Sequence, residues 1–237
     1  MIFLIIFFSI FNLSAKDNFA PNRPSQSNSP WVVPVNSFMI ESGINYSDDS
    51  FNENIALGVT EIRYGLSSKQ ELKFGFALNN NMTNKESDIT SVSLNYKREL
   101  IDKEGFIPSV GILLSAITPN LTTDNIDISP GIRLIFRNTF NDFTISYNLG
   151  YVYLKDNSDF AYTFNLGYNL SSKIGIFAEI YGNSLENRNN FTSNAVDFGM
   201  NYMINDNFQV DCHLGKDISE RDDFYFINVG AAFLINR

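Results

Sequence analysis

Between Phe160 and Leu170 the chain alternates without a break. Phe160, Tyr162, Phe164, Leu166, Tyr168 and Leu170 are bulky and apolar or aromatic, while Ala161, Thr163, Asn165, Gly167 and Asn169 are small or polar. Side chains of a strand point to opposite faces with a period of two, so this segment has one greasy face and one wet face. Similar pieces of about ten residues recur from Phe38 to the C-terminus, a length and pattern that suit strands tilted across a bilayer. We place twelve of them at 37–46, 54–64, 70–79, 88–98, 106–116, 127–137, 142–154, 159–170, 173–182, 194–204, 207–216 and 223–236. The predicted fold is all-β: a transmembrane antiparallel up-and-down β-barrel of about 12 strands, apolar outside and polar inside.

A soluble barrel of the lipocalin type would alternate too, but with its apolar face inward and a charged exterior. Here the apolar set of almost every strand lacks Asp, Glu, Lys and Arg, as in Val196, Phe198, Met200 and Tyr202 or Tyr225, Ile227, Val229, Ala231 and Phe233. Twelve such faces exceed what a soluble core of 237 residues would bury. Glycine instead falls in the polar set (Gly75, Gly111, Gly131, Gly150, Gly167, Gly199, Gly215, Gly230), where it relieves crowding inside a narrow barrel. A mean hydropathy of −0.10 excludes a helical membrane protein but not a barrel, whose two faces cancel.

Residues 2–13 (IFLIIFFSIFNL) are almost wholly apolar and lead into Ser14-Ala15-Lys16. An apolar run of about a dozen residues ending in small ones reads as a secretory signal peptide, too short to span a bilayer. We therefore assign 1–15 as signal peptide, 16–36 as a flexible periplasmic leader and 37–237 as the outer-membrane barrel of a Gram-negative bacterium. The leader contains Pro21, Pro24, Pro30 and Pro34. Proline removes ladder donors, so the leader is an extended tail or partial plug rather than a strand.

Connections alternate as well. Short ones follow 64, 98, 137, 170 and 204, and most of the others are longer and polar, such as 79–87, 117–126 and 183–193. Short turns mark the periplasmic rim of such barrels, and an even strand count puts both termini there. Tyr64, Tyr96, Phe136, Tyr168 and Tyr202 precede the short turns and form a candidate aromatic girdle at that rim, with Tyr46, Tyr151, Tyr153, Tyr162 and Tyr225 opposite.

The polar set directs Glu61, Arg63, Glu71, Lys73, Lys97, Asp127, Arg133, Arg137, Lys173, Glu179, Asp197, Asp211 and His213 toward the lumen. A symmetric second hairpin would set Arg63 opposite Glu71 and Glu61 opposite Lys73. Paired, these groups plug the interior; unpaired, they line a water-filled passage and set its selectivity. His213, the single histidine, shares a face with Asp211, which raises a barrel lipid hydrolase as a third reading. Catalytic groups on such a barrel must meet lipid, however, whereas His213 points inward, and no serine sits in a sharp nucleophile turn. We expect no enzyme activity.

Cys212, the single cysteine, lies in the apolar set and reads as a small hydrophobe; no disulfide framework or cysteine-based zinc site is possible. The runs 47–50 and 183–190 lack the ligand spacing of a defined calcium loop. No metal or cofactor is expected. A net charge of −9 without any Lys/Arg cluster argues against nucleic acid. The expected partners are outer-membrane lipid, the barrel-assembly machinery and a small-molecule solute. Barrel assembly reads an aromatic residue ending the last strand; here the chain ends Phe233-Leu234-Ile235-Asn236-Arg237, which leaves Phe233 for that role.

The stretches Tyr147-Asn148-Leu149-Gly150-Tyr151, 162–168 (YTFNLGY), 174–182 (IGIFAEIYG), 197–200 (DFGM) and 207–211 (NFQVD) resemble the outer-membrane family labelled "putative MetA-pathway of phenol degradation". So do 61–66 (EIRYGL) and 70–75 (QELKFG), and the resemblance covers most of 38–235. It implies an outer-membrane barrel and a role in passage of small hydrophobic or aromatic compounds, with Glu61, Arg63, Glu71, Lys73 and Glu179 as barrel-interior residues. The leading expectation is a passive channel or transporter; the alternative is a structural or surface-interaction barrel with a plugged lumen.

Overall fold

The structure is a computed structural model and describes residues 19–48, 53–81, 86–118, 128–153, 158–185, 193–219 and 224–236. Asp127, the proposed signal peptide and most of the outer loops lie outside the described residues. Twelve antiparallel strands close into one barrel in sequence order. They are β1 (Phe38–Asp48), β2 (Glu53–Ser67), β3 (Gln70–Asn81), β4 (Glu86–Ile101), β5 (Ser109–Thr118) and β6 (Ser129–Phe140). The second half holds β7 (Phe143–Tyr153), β8 (Ser158–Asn169), β9 (Ile174–Leu185), β10 (Ser193–Asn205), β11 (Phe208–Asp217) and β12 (Tyr225–Ile235). β12 pairs back onto β1 from Phe38↔Ile235 to Asp48↔Tyr225, so no edge strand is left unpaired.

The faces are inverted relative to a soluble protein. Leu94, Phe198 and Leu214 stand 58%, 58% and 60% exposed on the outside, whereas Arg63, Lys97, Glu71 and Asp197 are fully buried inside. Burying charge while exposing apolar rings is unfavourable in water, but it is the arrangement a bilayer demands. Eleven residues at ~3.3 Å rise and ~45° tilt span ~25 Å, the height of an apolar membrane band. Five connections of 2, 7, 2, 4 and 2 residues lie on the rim that carries both barrel ends, against 4, 4, 10, 4, 7 and 7 on the other. Near the short-turn rim Phe38 meets Tyr64 with ring centroids 4.7 Å apart, and Phe136 stacks on Tyr147 at 4.9 Å. Phe233 faces outward and packs on Phe208 at 6.0 Å, and Cys212 is exposed on the same outer surface.

Three expectations are corrected. β5 begins at Ser109 rather than near 106. Gly105 turns through a positive φ of 76°, Pro108 has no N–H for a ladder, and Phe106 projects outward against Phe140. In the second hairpin Arg63 faces Lys73, and Glu71 faces Gly65. A register shift between Gly65 and Ser67 displaces the symmetric pairing, and the ion pairs form along the diagonal instead.

The third concerns the leader. Of its two readings, tail or partial plug, the flexible tail is set aside and the plug holds: residues 19–37 run inside the barrel and rejoin the wall at a parallel bridge between Val35 and Gly65. Asn36, at a φ of 60°, makes the reversal into β1, a left-handed conformation that asparagine tolerates better than most residues.

Candidate functional site

The lumen and the segment threading it form one polar assembly. Its densest part lies on β1–β4. The Glu71 carboxylate accepts from Arg63 Nε (3.1 Å) and Nη2 (3.0 Å), from Lys97 Nζ (2.9 Å) and from the backbone N–H of Val33 (2.7 Å). Arg63 Nη1 reaches Glu41 Oε1 at 2.7 Å and also donates to the carbonyl of Ala20. The other oxygen of Glu41 accepts the backbone N–H groups of Asn22 and Arg23, each at 2.9 Å. Lys73 pairs with Glu61 at 2.9 Å and donates to Asn28 Oδ1. Lys97 donates to the carbonyls of Ser29 and Trp31. Buried charges are tolerable because nearly every lone pair and proton here has a partner.

The segment is gripped around the rest of the wall too. Arg23 pairs with Asp211 at 2.9 Å and donates to Asn228. Its guanidinium lies over Gly43 and Gly230, register partners on β1 and β12, where any Cβ would fall within contact distance of it. Gly65 and Gly111 make similar room for the Val33–Pro34 backbone and for Pro30. Four lumenal glycines thus seat the segment, while others, such as Gly75 beside Ser93 and Gly215 beside Phe226, relieve crowding between wall side chains as expected. On β9, Glu179 accepts from the N–H groups of Gln26 (2.7 Å) and Ser27 (2.9 Å) and from the Ser27 hydroxyl. Asn148 on β7 accepts from Asn28 N at 2.7 Å. A small apolar cluster packs Phe19 and Val33 of the segment against Met39 of β1 and Ala232 and Leu234 of β12 near the short-turn rim.

The remaining sequence candidates divide. Asp197 on β10 bonds His213 Nδ1 on β11 at 3.0 Å, and the imidazole lies between Phe177 (6.3 Å) and Phe226 (5.4 Å). Asp211 serves Arg23 instead, so the His213–Asp211 dyad considered from sequence does not form; neighbours two apart on a strand diverge. Among the described residues no serine hydroxyl bonds His213. Arg133 and Arg137 lie on the lumenal face of β6 without an ion pair among the described residues. Arg137 sits 4.7 Å over the Trp31 ring. Lys173 is corrected: it is exposed in the turn before β9, because the strand begins one residue later than expected.

Sequence reasoning missed Asn22, Arg23, Ser27, Asn28 and Trp31, the segment's contacts, and the wall residues Glu41, Asn148, Gln209 and Asn228. The usable signal was present: a mere tether needs neither the only tryptophan nor an arginine. Among the described residues no group of three His, Cys, Asp or Glu gathers as metal ligands would.

The fold is shared with solved outer-membrane proteins. It is similar to the COG4313 outer membrane channel from Pseudomonas putida F1, with a TM-score of 0.64 and 9% identity over 90% of this chain and 100% of that one. It is also similar to the NanC porin, with a TM-score of 0.61 and 10% identity over 82% and 98%. The KdgM porin in complex with disordered oligogalacturonate gives 0.59 and 11%, again over 82% and 98%. No curated protein matches the sequence. Residues 21–233, which include the threading segment but for its first two residues and all twelve strands but for the last two residues of β12, match the model of the family described as "Putative MetA-pathway of phenol degradation", and the chain belongs to that family.

Proposed function

We propose that the protein is a passive outer-membrane channel for small solutes, aromatic compounds among them, whose lumen is constricted by its own N-terminal segment. The observation that carries this reading is the chemistry of the obstruction. The barrel is filled at its waist by a non-strand segment held mainly by hydrogen bonds and ion pairs, contacts that water can replace. An apolar core would seal the lumen permanently. The half-buried Phe177, backed by the buried rings of His213 and Phe226, brings an aromatic side chain to the lumenal wall, in keeping with the family description. The solved channels of the same fold support the class of function, and the inverted faces support an outer-membrane location.

A second reading, a structural barrel with a filled lumen, is favoured by one observation. The segment touches wall residues from β1 around to β12, including Glu41, Glu71, Asn148, Glu179 and Asn228, and so crosses the whole section. Single-channel conductance of the refolded protein in a planar bilayer separates the two. A channel gives discrete steps, a change of ion selectivity in Arg133→Gln, and a unit conductance at least twofold higher when residues 19–35 are deleted. A heat-modifiable, folded barrel that stays silent with and without the segment would overturn the channel reading.

A further inference from the structure

From the pairing of two orphaned donors, we infer that Trp31 and Arg137 form a binding site for a small anion, a carboxylate or halide, inside the lumen near the short-turn rim. The Arg137 guanidinium stacks on the indole of Trp31, its carbon 4.7 Å from the ring centroid. Arg137 Nε and Trp31 Nε1 are both buried, and neither has a hydrogen-bond partner among the described residues. Both atoms can only donate. Two N–H···X bonds of ~2.9 Å let one acceptor atom bridge nitrogens up to ~5.8 Å apart, and a carboxylate reaches further with its two oxygens.

The charge around the pair points the same way. Arg63 and Lys97 also converge on Trp31, through its carbonyl, but Glu71 and Glu41 neutralise them. Among the described residues Arg137 has no such counter-ion: the lumenal face of β5–β7 carries two arginines and no carboxylate. Its register partners are Ser109 and Ser146, both small, buried and uncharged. A buried guanidinium Nε–H without a partner among the described residues lacks one element, an acceptor, and the cation's charge favours a negative one. The stack with the indole holds the fork but supplies no acceptor. The site needs only a lumen reachable by ions, so it stands or falls separately from conduction.

The chain has one tryptophan, so its emission reports this site alone. Refolded full-length protein in detergent is titrated with sodium acetate, alongside Arg137→Gln and Arg137→Lys, each checked for the heat-modifiable shift. The wild type is expected to give a saturable emission change. Half-saturation should rise at least tenfold in Arg137→Gln and less in Arg137→Lys, which keeps charge but loses the fork. A linear response, or one equal in wild type and Arg137→Gln, overturns the site. Should the variants fail to fold, crystals of the wild type soaked in bromide decide. Anomalous density within hydrogen-bond distance of both nitrogens supports the site, and only water or nothing there overturns it.

Discussion

The arcs β1–β4 and β5–β7 share one alternating pattern and do opposite things with it. On β1–β4 seven inward positions are charged, Glu41, Glu61, Arg63, Glu71, Lys73, Lys97 and Glu99, beside uncharged ones such as Met39 and Asn95. On β5–β7 the inward positions are serine, glycine, threonine, asparagine and aliphatic residues around Arg133 and Arg137. The first arc anchors the threading segment through several hydrogen bonds to charged wall groups that are themselves ion-paired; the second meets it mostly through shape and single hydrogen bonds. A segment pinned on one side and lightly held on the other swings more readily than it detaches. A passage would therefore open along β5–β7, where little charge must be desolvated or repaired.

Breaking the anchor should have the largest effect. Arg63→Ala leaves Glu41 and Glu71 buried without their main partner, at a cost of about 3–5 kcal/mol. The neutral Arg133→Gln, on the other arc, should stay within about 1 kcal/mol of wild type. Equilibrium urea unfolding of the refolded protein compares them, and equal losses would erase the contrast between the arcs.

Next comes the seat of Arg23. Gly230→Val places a side chain where the guanidinium lies, so the bonds to Asp211 and Asn228 are lost, about 1.5–3 kcal/mol of anchoring by the scale of hydrogen bonds to charged groups. In a Cys212→Ser background, Ser25→Cys should become labelled by a water-soluble maleimide at least several-fold faster when Gly230→Val is added. An unchanged rate would show that Arg23 does not hold the segment.

The smallest effect is expected on the light side. Asn148→Ala removes the bonds exchanged with Asn28, about 1 kcal/mol, and should speed labelling of a cysteine placed at Asn28 only a few-fold. If it released the segment as fully as Gly230→Val, β7 would hold it as firmly as the Arg23 seat on β11 and β12, and the proposed path along β5–β7 would lose its basis.

Much of this architecture is written in the primary structure. Alternation over Phe160–Leu170 and its counterparts dictates which residues face lipid, because a strand permits only two directions and a bilayer rejects charge on one of them. That logic places Glu71, Lys97, Asp197 and His213 inside, and it orders the short and long connections. Its local failures are local in cause. The β2–β3 register depends on an irregularity at Gly65–Ser67, and the start of β5 depends on Gly105 and Pro108, neither of which alternation encodes.

Which charge meets which is a different kind of fact. Glu179 is 152 residues from Ser27, and Asp211 is 188 from Arg23. Closure of the barrel brings such groups to one lumen, and no periodicity along the chain specifies that meeting. The inverted barrel follows from the primary structure, since facing is a property of each strand. Only the tertiary structure decided that residues 19–37 fill it, that glycines on facing strands seat them, and that Arg137 and Trp31 are left with two donors and no acceptor, since those outcomes depend on what lies across a closed cavity.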